Sequence, residues 1–285
     1  WARFQSIVRH HKGRRILQGK RTLFIVPKAL HVYLWLGYWE HYGRGFNFQA
    51  FFSQVPSDLR KWFLELFIYA HAAHVASQMV KDILSPIKGP FSDSEFLESE
   101  AGTRFLSYLA EADPSATLAL LEVTYGKWSI EKLRSWESGR QNIVWTLEKI
   151  AVWKDTFPRA ARLLVRMALA ENAKNSNNSK GTLLSLFMIG LGWAPTEAIP
   201  QQRFPVIEKL LRNNDSAMRE LGLELCEQWL STYGGMRIIG AEYQGLRPTV
   251  EFWRPKTYGE IHDCWRKVWD YLWQETRGWD EAGRR

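Results

Sequence analysis

The chain of 285 residues is 46% hydrophobic and 24% charged, a balance that is ordinary for a globular protein. Its 15 tryptophans supply ample material for a core, and its two cysteines are too few for the disulfide framework of a small secreted protein. Cys226 and Cys264 both lie in amphipathic helical patterns. We therefore expect buried free thiols and a cytoplasmic location.

The net charge of +8 at pH 7 permits contact with nucleic acid but does not establish it. We interpret the charge as spread along the chain, with mild concentration in residues 1–21 and at Arg284 and Arg285. A nucleic-acid-binding face would gather its lysines and arginines more sharply. Nucleic-acid binding therefore stays an alternative.

Residues 1–21, "WARFQSIVRHHKGRRILQGKR", are basic and lack a clear hydrophobic period. We interpret them as a lead-in, and Trp1 as a fragment boundary. The next run, "LFIVPKALHVYLWLGYW", contains a proline, a lysine and a histidine and is shorter than the roughly 20 residues that a bilayer requires. It predicts a buried helix that begins at Pro27 and ends at Gly43, and we expect neither a membrane span nor a membrane partner.

Helical patterns continue through the middle of the chain. The segment "SDLRKWFLELFIYAHAAHVASQMVKDIL" predicts one helix capped by Ser57 and Asp58, and "SDSEFLESEAGTRFLSYLAEA" predicts one or two more. Three further helices are predicted to begin after an aspartate whose carboxylate caps the free amides of the first turn. These aspartates are Asp113, Asp155 and Asp215.

The three aspartates are spaced 42 and 60 residues apart. A two-helix HEAT-type repeat takes about 40–47 residues, so the first interval fits and the second requires an insertion. The Asn/Ser-rich and turn-like residues 174–204 provide it, and residues 174–181 are expected to be exposed and mobile. The pattern predicts an all-α fold of degenerate HEAT/TPR-like helical repeats, an α-solenoid. An irregular helical bundle stays open as the alternative.

The helical period breaks after residue 235. The stretch "GAEYQGLRPTVEFWRPKTYGEI", residues 240–261, is too rich in Gly and Pro for a helix and too aromatic for an idle linker. We predict an ordered strap across the last repeat, held by the burial of apolar side chains that include Leu246, Trp253 and Tyr258. A last helix follows, with Trp269 on its apolar face. The predicted parts are a basic lead-in at 1–21, a helical repeat module at 22–235 with an insertion around 174–204, the strap at 236–258 and a C-terminal helix at 259–276.

No phosphate-binding loop or catalytic motif is present. "TYGKWS" has Gly126 and Lys127, but Leu121 stands where a Walker loop requires glycine. The motifs GxSxG, CxxC and HExxH are also missing from the sequence. We predict a non-enzymatic segment without a catalytic residue and without a cofactor.

Two other polar groupings are expected to be structural. His71 and His74 share a helical face in "HAAH", but no HExxH glutamate accompanies them and the surrounding stripe is apolar, so no metal site is predicted. A small acidic group is interpreted as a solvated helix face plus a cap. It consists of Glu98, Glu100, Glu111 and Asp113.

The strap carries residue types that are typical of a recognition surface, because aromatic and arginine side chains are enriched among the residues that dominate binding energy. The same side chains are also suited to staple the strap to the last two helices. The candidate binding residues are Tyr243, Gln244, Arg247, Trp253, Arg254 and Lys256.

Three stretches together resemble a known family. "GRQNIVWTLEKIAVWKDTFPRAARLLVRMALAEN", "NNSKGTLLSLF" with "APTEAIPQQRFPVIEKLL", and the strap stretch quoted above are similar to the helical region downstream of the nucleotide-binding module in large prokaryotic STAND-type NTPases, a class that includes Avs-like antiviral sensors. The resemblance covers roughly residues 15–270. In such proteins a P-loop ATPase drives oligomerisation, an effector domain acts, and helical repeats sense the trigger.

The resemblance implies only the repeat part of such a protein, because no position here matches an ATP-site residue. The expected function is a scaffold or sensor segment that binds a protein ligand or other domains of its own polypeptide, and that oligomerises through the parent protein. A nucleic-acid-binding helical repeat is the alternative, supported by the basic balance and by "RHHKGRR". An enzyme would require a pocket of convergent polar groups.

Overall fold

The computed structural model describes residues 1–20, 22–173, 177–189, 195–232 and 245–279. Within these ranges the chain is mostly helical, as predicted, and its strands are limited to one antiparallel pair of two residues each, β1 (Leu17–Gln18) and β2 (Phe24–Ile25). The helices are α1 (Ala2–Gly13), α2 (Lys28–Tyr42), α3 (Phe48–Gln54), α4 (Ser57–Glu65), α5 (His74–Ile83), α6 (Ser94–Glu98), α7 (Glu100–Leu109), α8 (Pro114–Thr124), α9 (Ile130–Ser135), α10 (Arg140–Ile150), α11 (Phe157–Leu169), α12 (Ser179–Leu186), α13 (Pro200–Leu211), α14 (Ser216–Leu230) and α15 (Tyr258–Thr276).

The basic start of the chain is a helix and a hairpin, whereas the sequence was interpreted as a lead-in without a period. Lys12 Nζ donates to Gly19 O (2.6 Å), and the Val26 amide donates to Ile16 O (3.0 Å), so the end of α1 is tied to the hairpin. No residue of α1 is buried. The helix therefore presents its side chains to solvent instead of contributing them to the core.

Helix α2 follows Pro27 directly and has Gly43 as its C-cap, so both predicted boundaries hold to within one residue. The predicted burial is wrong for most of the helix, because only Val32, Trp35 and Trp39 of its 15 residues are buried. Its inward residues Trp35 and Trp39 pack against Phe67, with ring centroids 5.7 and 5.5 Å from the phenylalanine. Aromatic pairs at this distance contribute roughly 0.5–1.5 kcal/mol beyond their burial. The cluster fixes α2 against the 3₁₀ turn Leu66–Ala72.

The prediction of one continuous helix over residues 57–84 is wrong. The segment is α4, the 3₁₀ turn Leu66–Ala72 and α5, and Ala73 before α5 is extended (φ −134°, ψ 119°). Residues 67–70 are all buried. Four consecutive side chains cannot all face one side of an α-helix, because successive residues point about 100° apart. The tighter turn and the break bring all four side chains into the core.

Two of the three predicted aspartate caps are confirmed. Asp113 accepts a hydrogen bond from the Ala116 amide, and Asp215 accepts one from the Ala217 amide, each 2.9 Å long. Each carboxylate satisfies an amide in the first turn, where no backbone carbonyl is available. The sequence signal works here because the aspartate directly precedes the helix.

Two other cap predictions are wrong. Thr156, not Asp155, is the N-cap of α11, and its hydroxyl is turned away to the Ile150 carbonyl (2.5 Å). Pro56 is the N-cap of α4, so Ser57 and Asp58 are already helical and no side chain caps that helix. In both cases the chain enters the helix one residue away from the candidate cap.

The described parts of the region around 174–204 are built into the fold. Residues 174–176 and 190–194 lie outside the described residues. Asn178 caps α12, and Ser179 is fully buried with its amide bonded to Glu171 Oε2 (2.7 Å). The expected exposure of residues 174–181 is therefore wrong at Ser179, because this polar side chain and its amide obtain their hydrogen bonds inside the protein.

From α4 onward the helices form two series of neighbours. In the first series α4, α7, α10, α12 and α14 contact one another in that order, and in the second α8, α11 and α13 do so. Contacts of α11 with α12 and of α13 with α14 join the series. The last helix, α15, packs on α14 and reaches α13 through Tyr271, whose ring lies 5.4 Å from that of Phe204.

Buried arginines satisfy the carbonyls at helix ends. Arg140, only 6% exposed, donates to Leu133 O, to Met167 O (2.7 Å) and to Ala170 O (3.2 Å). The last carbonyls of a helix lack amide partners and carry the negative end of the helix dipole, so a guanidinium satisfies several of them at once. Burial lowers the pKa of Arg140, and Glu171, 3.9 Å away, acts in the opposite direction.

Among the helices that the structure describes, none combines the length and the apolar character that a bilayer crossing requires.

Candidate interaction surfaces

The strap, defined from here on as residues 245–257, joins parts of the molecule that are far apart in sequence. It contacts the 3₁₀ turn Leu66–Ala72 and the end of α7, then the residues before α13, and leads into α15. The prediction of a strap limited to the last repeat is therefore too narrow. Two predicted binding residues, Tyr243 and Gln244, lie outside the described residues.

Gly245 allows the strap to approach the 3₁₀ turn closely. Its φ of +63° lies in the left-handed region, and a Cβ here would lie 2.4 Å from Ile68 O and 2.8 Å from His71 Cε1. Only glycine fits this position without strain. His71 Nδ1 is 2.9 Å from Ile68 O, so Nδ1 carries the proton and donates. Burial, and the nearby charge of Arg247, lower the pKa of His71.

Arg247 attaches the strap to the end of α7. Its guanidinium donates to Glu111 O (2.5 Å) and Ala112 O (2.6 Å), carbonyls that follow the last turn of that helix. Burial lowers the pKa of Arg247, while the carboxylates of Asp113 and Glu111 act in the opposite direction. The arginine therefore makes a structural contact inside the chain, which is the second of the two roles that the sequence left open for the strap side chains.

The middle of the strap pairs with the segment before α13. The Trp253 amide donates to Thr196 O (3.0 Å), and the Glu251 amide donates to Glu197 Oε1 (3.2 Å). Thr196 is itself fully buried, and its hydroxyl hydrogen-bonds to Ala151 O (2.8 Å). Val250 is 7% exposed. These bonds hold the strap against both α10 and the entry to α13.

Trp253 lies over a buried arginine. The guanidinium of Arg203 is 5.5 Å from the centroid of the indole, in the range of a cation–π contact. Arg203 is fully buried and donates to Ala198 O (2.7 Å) and Met188 O (2.9 Å). Burial lowers its pKa to about 9, so it stays charged at neutral pH. Trp253 therefore helps to cover a cation in the core.

Arg254 and Lys256 are exposed, and the structure pairs neither side chain with a described carboxylate. Only the Lys256 backbone amide is engaged, with Glu260 Oε2 (2.6 Å). Leu246 and Tyr258 are 58% and 71% exposed, so the predicted burial of these two side chains is wrong. Hydrogen bonds made by Arg247, Glu251 and Trp253 hold the strap instead, so Arg254 and Lys256 extend from an ordered segment.

The glutamates that the sequence analysis grouped together form separate ion pairs and do not share one site. Glu98 pairs with Lys132 (2.6 Å), Glu111 pairs with Lys149 (3.1 Å), and Glu100 pairs with Arg104 along α7. Burial raises the pKa of Glu111, and Lys149 opposes that change. Among the described residues, no group of three histidines, cysteines or acids is arranged to hold a metal ion.

Both cysteines are free, Cys226 buried and Cys264 half-buried. Burial raises the pKa of the Cys226 thiol to about 12, so at neutral pH it is not a thiolate nucleophile. The pKa of Cys264 is also raised, chiefly by burial. The thiols behave as packing groups.

The positive charge is concentrated in the first elements, contrary to our interpretation of a spread along the chain. Residues 1–57 hold nine of the 38 basic residues and one of the 30 acidic ones, Glu40, which leaves 29 of each for residues 58–285. The whole net charge of +8 therefore belongs to the segment that carries α1, the hairpin, α2 and α3. A residue-by-residue charge count would have found this signal in the sequence.

The same elements expose large apolar side chains. On α1 and its N-cap, Trp1, Phe4 and Ile7 are 86%, 50% and 46% exposed. On α2, Tyr33 and Tyr42 are 72% and 71% exposed. At the other end of the chain, Trp269 and Trp273 on α15 are also exposed, so the prediction that Trp269 lies on the buried face of this helix is wrong.

No protein-family model, curated protein or solved structure matches the chain. The arguments that follow depend on the residues and contacts described above.

Proposed function

We propose that the chain is an α-solenoid of helical repeats that serves as a non-catalytic scaffold or sensor. The observation that carries the proposal is the regular spacing of bonds between neighbouring helical units. Many of these bonds join residues 34 to 45 positions apart, an interval that lies between the length of a TPR repeat, about 34 residues, and that of a HEAT-type repeat, roughly 40–47 residues. They include Lys132–Glu98, Gln141–Asn177, Arg159–Glu122, Arg166–Trp128, Asn172–Arg134, Asn142–Thr103, Lys180–Glu224 and Thr196–Ala151.

The order of helix contacts supports the same arrangement. In an array of two-helix repeats, each unit places one helix in each of two layers, and each helix contacts its counterpart in the next unit. The series α7, α10, α12 and α14 and the series α8, α11 and α13 follow this rule. The Arg159–Glu122 pair connects α11 with α8 within the second series.

We propose, on the resemblance to STAND-type NTPases, that this array is one part of a larger multidomain protein. On this proposal the segment contributes recognition, while nucleotide hydrolysis, oligomerisation and the effector reaction belong to other parts of the parent protein. A cytoplasmic location and a role in antiviral defence are part of the proposal. The partner is a protein ligand or another domain of the same polypeptide, and Arg254 and Lys256 are the strap residues that remain available to it.

Crosslinking mass spectrometry on the full-length parent protein tests the proposal. We expect the amine of Lys256 to form crosslinks with residues outside this segment. Lys88 and Lys209 are also exposed and serve as matched controls away from the strap. Crosslinks of Lys256 confined to this segment, or no more frequent than those of the controls, would contradict recognition by the strap.

Hydrolysis assays test the non-catalytic part of the proposal. The isolated segment is expected to release no phosphate from ATP, since it lacks a glycine-rich loop to hold the phosphates. Turnover that co-purifies with the folded segment through successive columns would contradict the scaffold assignment.

Nucleic-acid binding along the array is less well supported. Residues 58–285 carry equal numbers of basic and acidic residues. Several of those basic residues are already paired within the chain, among them Lys132, Lys149 and Arg159. A groove that tracks a phosphate backbone requires an excess of cations. The excess lies in the first elements, which suggest a different partner.

A further inference from the structure

Helix α1 is amphipathic, and its apolar side faces solvent. Phe4, Ile7 and Val8 follow one another at i, i+3 and i+4, the spacing of one helical face. Phe4 and Ile7 are 50% and 46% exposed, and Trp1 stacks on Phe4 with ring centroids 5.5 Å apart. The described fold leaves this face without a covering element, because no residue of α1 is buried.

The remaining sides of α1 and its hairpin are basic. Residues 1–20 contain six lysines and arginines and no acidic residue. On the helix, Arg3 lies to one side of the apolar face and Arg9 lies towards the opposite side. The cations of residues 1–20 are Arg3, Arg9, Lys12, Arg14, Arg15 and Lys20.

The apolar character continues into the next elements. Phe24 and Val26 at the second strand are 50% and 43% exposed, and Leu34 on α2 is 47% exposed. Tyr38 and Tyr42 stand one turn apart on α2, with ring centroids 5.9 Å apart. The elements that carry these side chains contact one another in sequence, α1 with β1, β1 with β2 and β2 with α2. Exposed apolar side chains on neighbouring elements mark an interaction surface, whereas isolated ones do not.

We infer that α1, with its hairpin and α2, binds the surface of an anionic phospholipid bilayer. An interfacial helix buries its apolar face at the boundary of headgroups and acyl chains while its cations meet the lipid phosphates. Exposed Ile7, Val26 and Leu34 suit acyl chains, and they offer nothing to a nucleic-acid backbone. Tyrosine and tryptophan are the residues enriched at the depth of the headgroups.

This surface binding requires no membrane span, so it is compatible with the finding on the described helices. It changes our expectation that the chain has no membrane partner. It is also independent of the proposed solenoid, because it uses none of the helices from α7 to α15.

Sedimentation with vesicles tests the inference on the whole chain. We expect the protein to sediment with vesicles of phosphatidylcholine and phosphatidylglycerol, and to remain in the supernatant with phosphatidylcholine alone. Added salt should release it, because exposed charges are screened within a Debye length. Failure to bind the anionic vesicles, or equal binding to both kinds, would overturn the inference.

Two double variants separate the apolar and the charged contributions. Arg3→Glu with Arg14→Glu, two exposed cations that do not lie opposite the apolar face, should weaken binding at least about 25-fold, since each cation near the surface contributes about fivefold. Phe4→Ser with Ile7→Ser should abolish sedimentation with anionic vesicles. Both should retain the wild-type thermal midpoint, because the changed side chains are not buried.

Matched controls change the same chemistry elsewhere on the surface. Lys88→Glu with Lys127→Glu alters two exposed cations, and Ile87→Ser with Val123→Ser alters two exposed apolar residues. Both controls should bind vesicles as the wild type does. Losses as large as those of the α1 variants would show that the binding is not specific to α1.

A single-stranded oligonucleotide serves as the competing ligand, measured by fluorescence anisotropy. Lipid binding predicts weak and salt-sensitive association. Tight oligonucleotide binding that survives Phe4→Ser with Ile7→Ser, together with unchanged sedimentation of that variant, would assign the surface to nucleic acid and overturn the inference.

Discussion

Arg140, Arg203 and Arg247 perform one task at three places. Each guanidinium is turned into the protein and donates to two or more backbone carbonyls near the ends of helices. Arginine suits this position because its planar group offers five donors in a fixed geometry, whereas lysine offers a single compact charge. From the sequence alone these three arginines would be interpreted as surface charges, because the residues around them do not differ in kind from those around the exposed Arg254 or Arg104.

At the residue scale, Arg247→Met is expected to lower the free energy of unfolding by about 2–3 kcal/mol, because it removes two charge-assisted hydrogen bonds and leaves Glu111 O and Ala112 O without that donor. Arg254→Met, on the same strap but exposed, should change it by no more than about 0.5 kcal/mol. Urea unfolding of the two variants measures the difference. Equal effects would show that the Arg247 contacts contribute nothing specific.

A second residue-scale prediction concerns acid. The pKa of His71 is lowered in the folded state, first by burial and then by Arg247. The unfolded chain, with a histidine pKa of about 6.5, therefore takes up the proton first as pH falls. The contribution of His71 to stability should be constant above about pH 7 and fall through and below about pH 6.5. His71→Gln should reduce this fall, measured as the difference in denaturation midpoint between neutral and mildly acidic buffer. An unchanged pH dependence would exclude His71 as its source.

At the element scale, the strap is ordered by close backbone contacts more than by aromatic burial. The proline and glycine content correctly predicts a non-helical connection, and its hydrogen bonds to Thr196, Glu197 and the end of α7 explain its course. Leu246 and Tyr258 show the limit of the sequence argument. Hydrophobicity indicates that a side chain gains from burial, but the tertiary contact decides whether a surface is available.

A further prediction for the strap concerns the effect of a substitution at Gly245 on stability. Gly245→Ala places a methyl group 2.4 Å from Ile68 O at a φ of +63°, so we expect a loss of at least about 2 kcal/mol in stability. Gly259→Ala is the matched control, because its Cβ would lie 3.6 Å from Thr257 Oγ1, an ordinary contact near the start of α15. That variant should be neutral or slightly stabilised, since alanine favours a helix. Similar thermal midpoints for both variants would contradict the close approach of the strap.

The boundaries of elements were predictable where a local signal exists. Pro27, Asp113 and Asp215 mark helix starts, because a proline or a capping carboxylate acts within one turn. The break at Ala73 was not predictable from a helical stripe, because the core demands four consecutive buried residues there. The local hydrophobic pattern favours a continuous helix at that point, whereas burial of the four side chains requires a break, and tertiary packing overrides the local preference.

At the scale of the whole molecule, the sequence predicts the all-helical class but not the partners of the strap. The spacing of aspartates suggests repeating units, whereas the Arg247 contact with Glu111 joins residues 136 positions apart and leaves no local trace. Long-range contacts also decide which of the candidate recognition residues are turned inward and which are exposed. Arg247 turns inward because backbone carbonyls after α7 accept its hydrogen bonds, and Trp253 turns inward because its ring covers the buried Arg203. Arg254 and Lys256 remain exposed.

The strap also leads to a prediction about cooperativity. In an array of repeats each unit is stabilised mainly by its neighbours, so distant units can unfold separately. Here residues 245–257 connect the turn Leu66–Ala72 and the end of α7 directly to α15. We therefore expect the wild type to unfold in one transition, with α5 and α15 losing amide protection together in hydrogen exchange.

Combining Gly245→Ala with Arg247→Met should separate the unfolding of α5 from that of α15, because the two substitutions disrupt the contacts of the strap with the turn Leu66–Ala72 and with the end of α7. Amides of α5 should then exchange at lower denaturant than those of α15, since α15 keeps its own packing on α13 and α14. The combination of Gly259→Ala with Arg254→Met leaves both contacts in place and should preserve the single transition. If α5 and α15 still lose protection together in the first combination, the long-range coupling runs through the helix array and not through the strap.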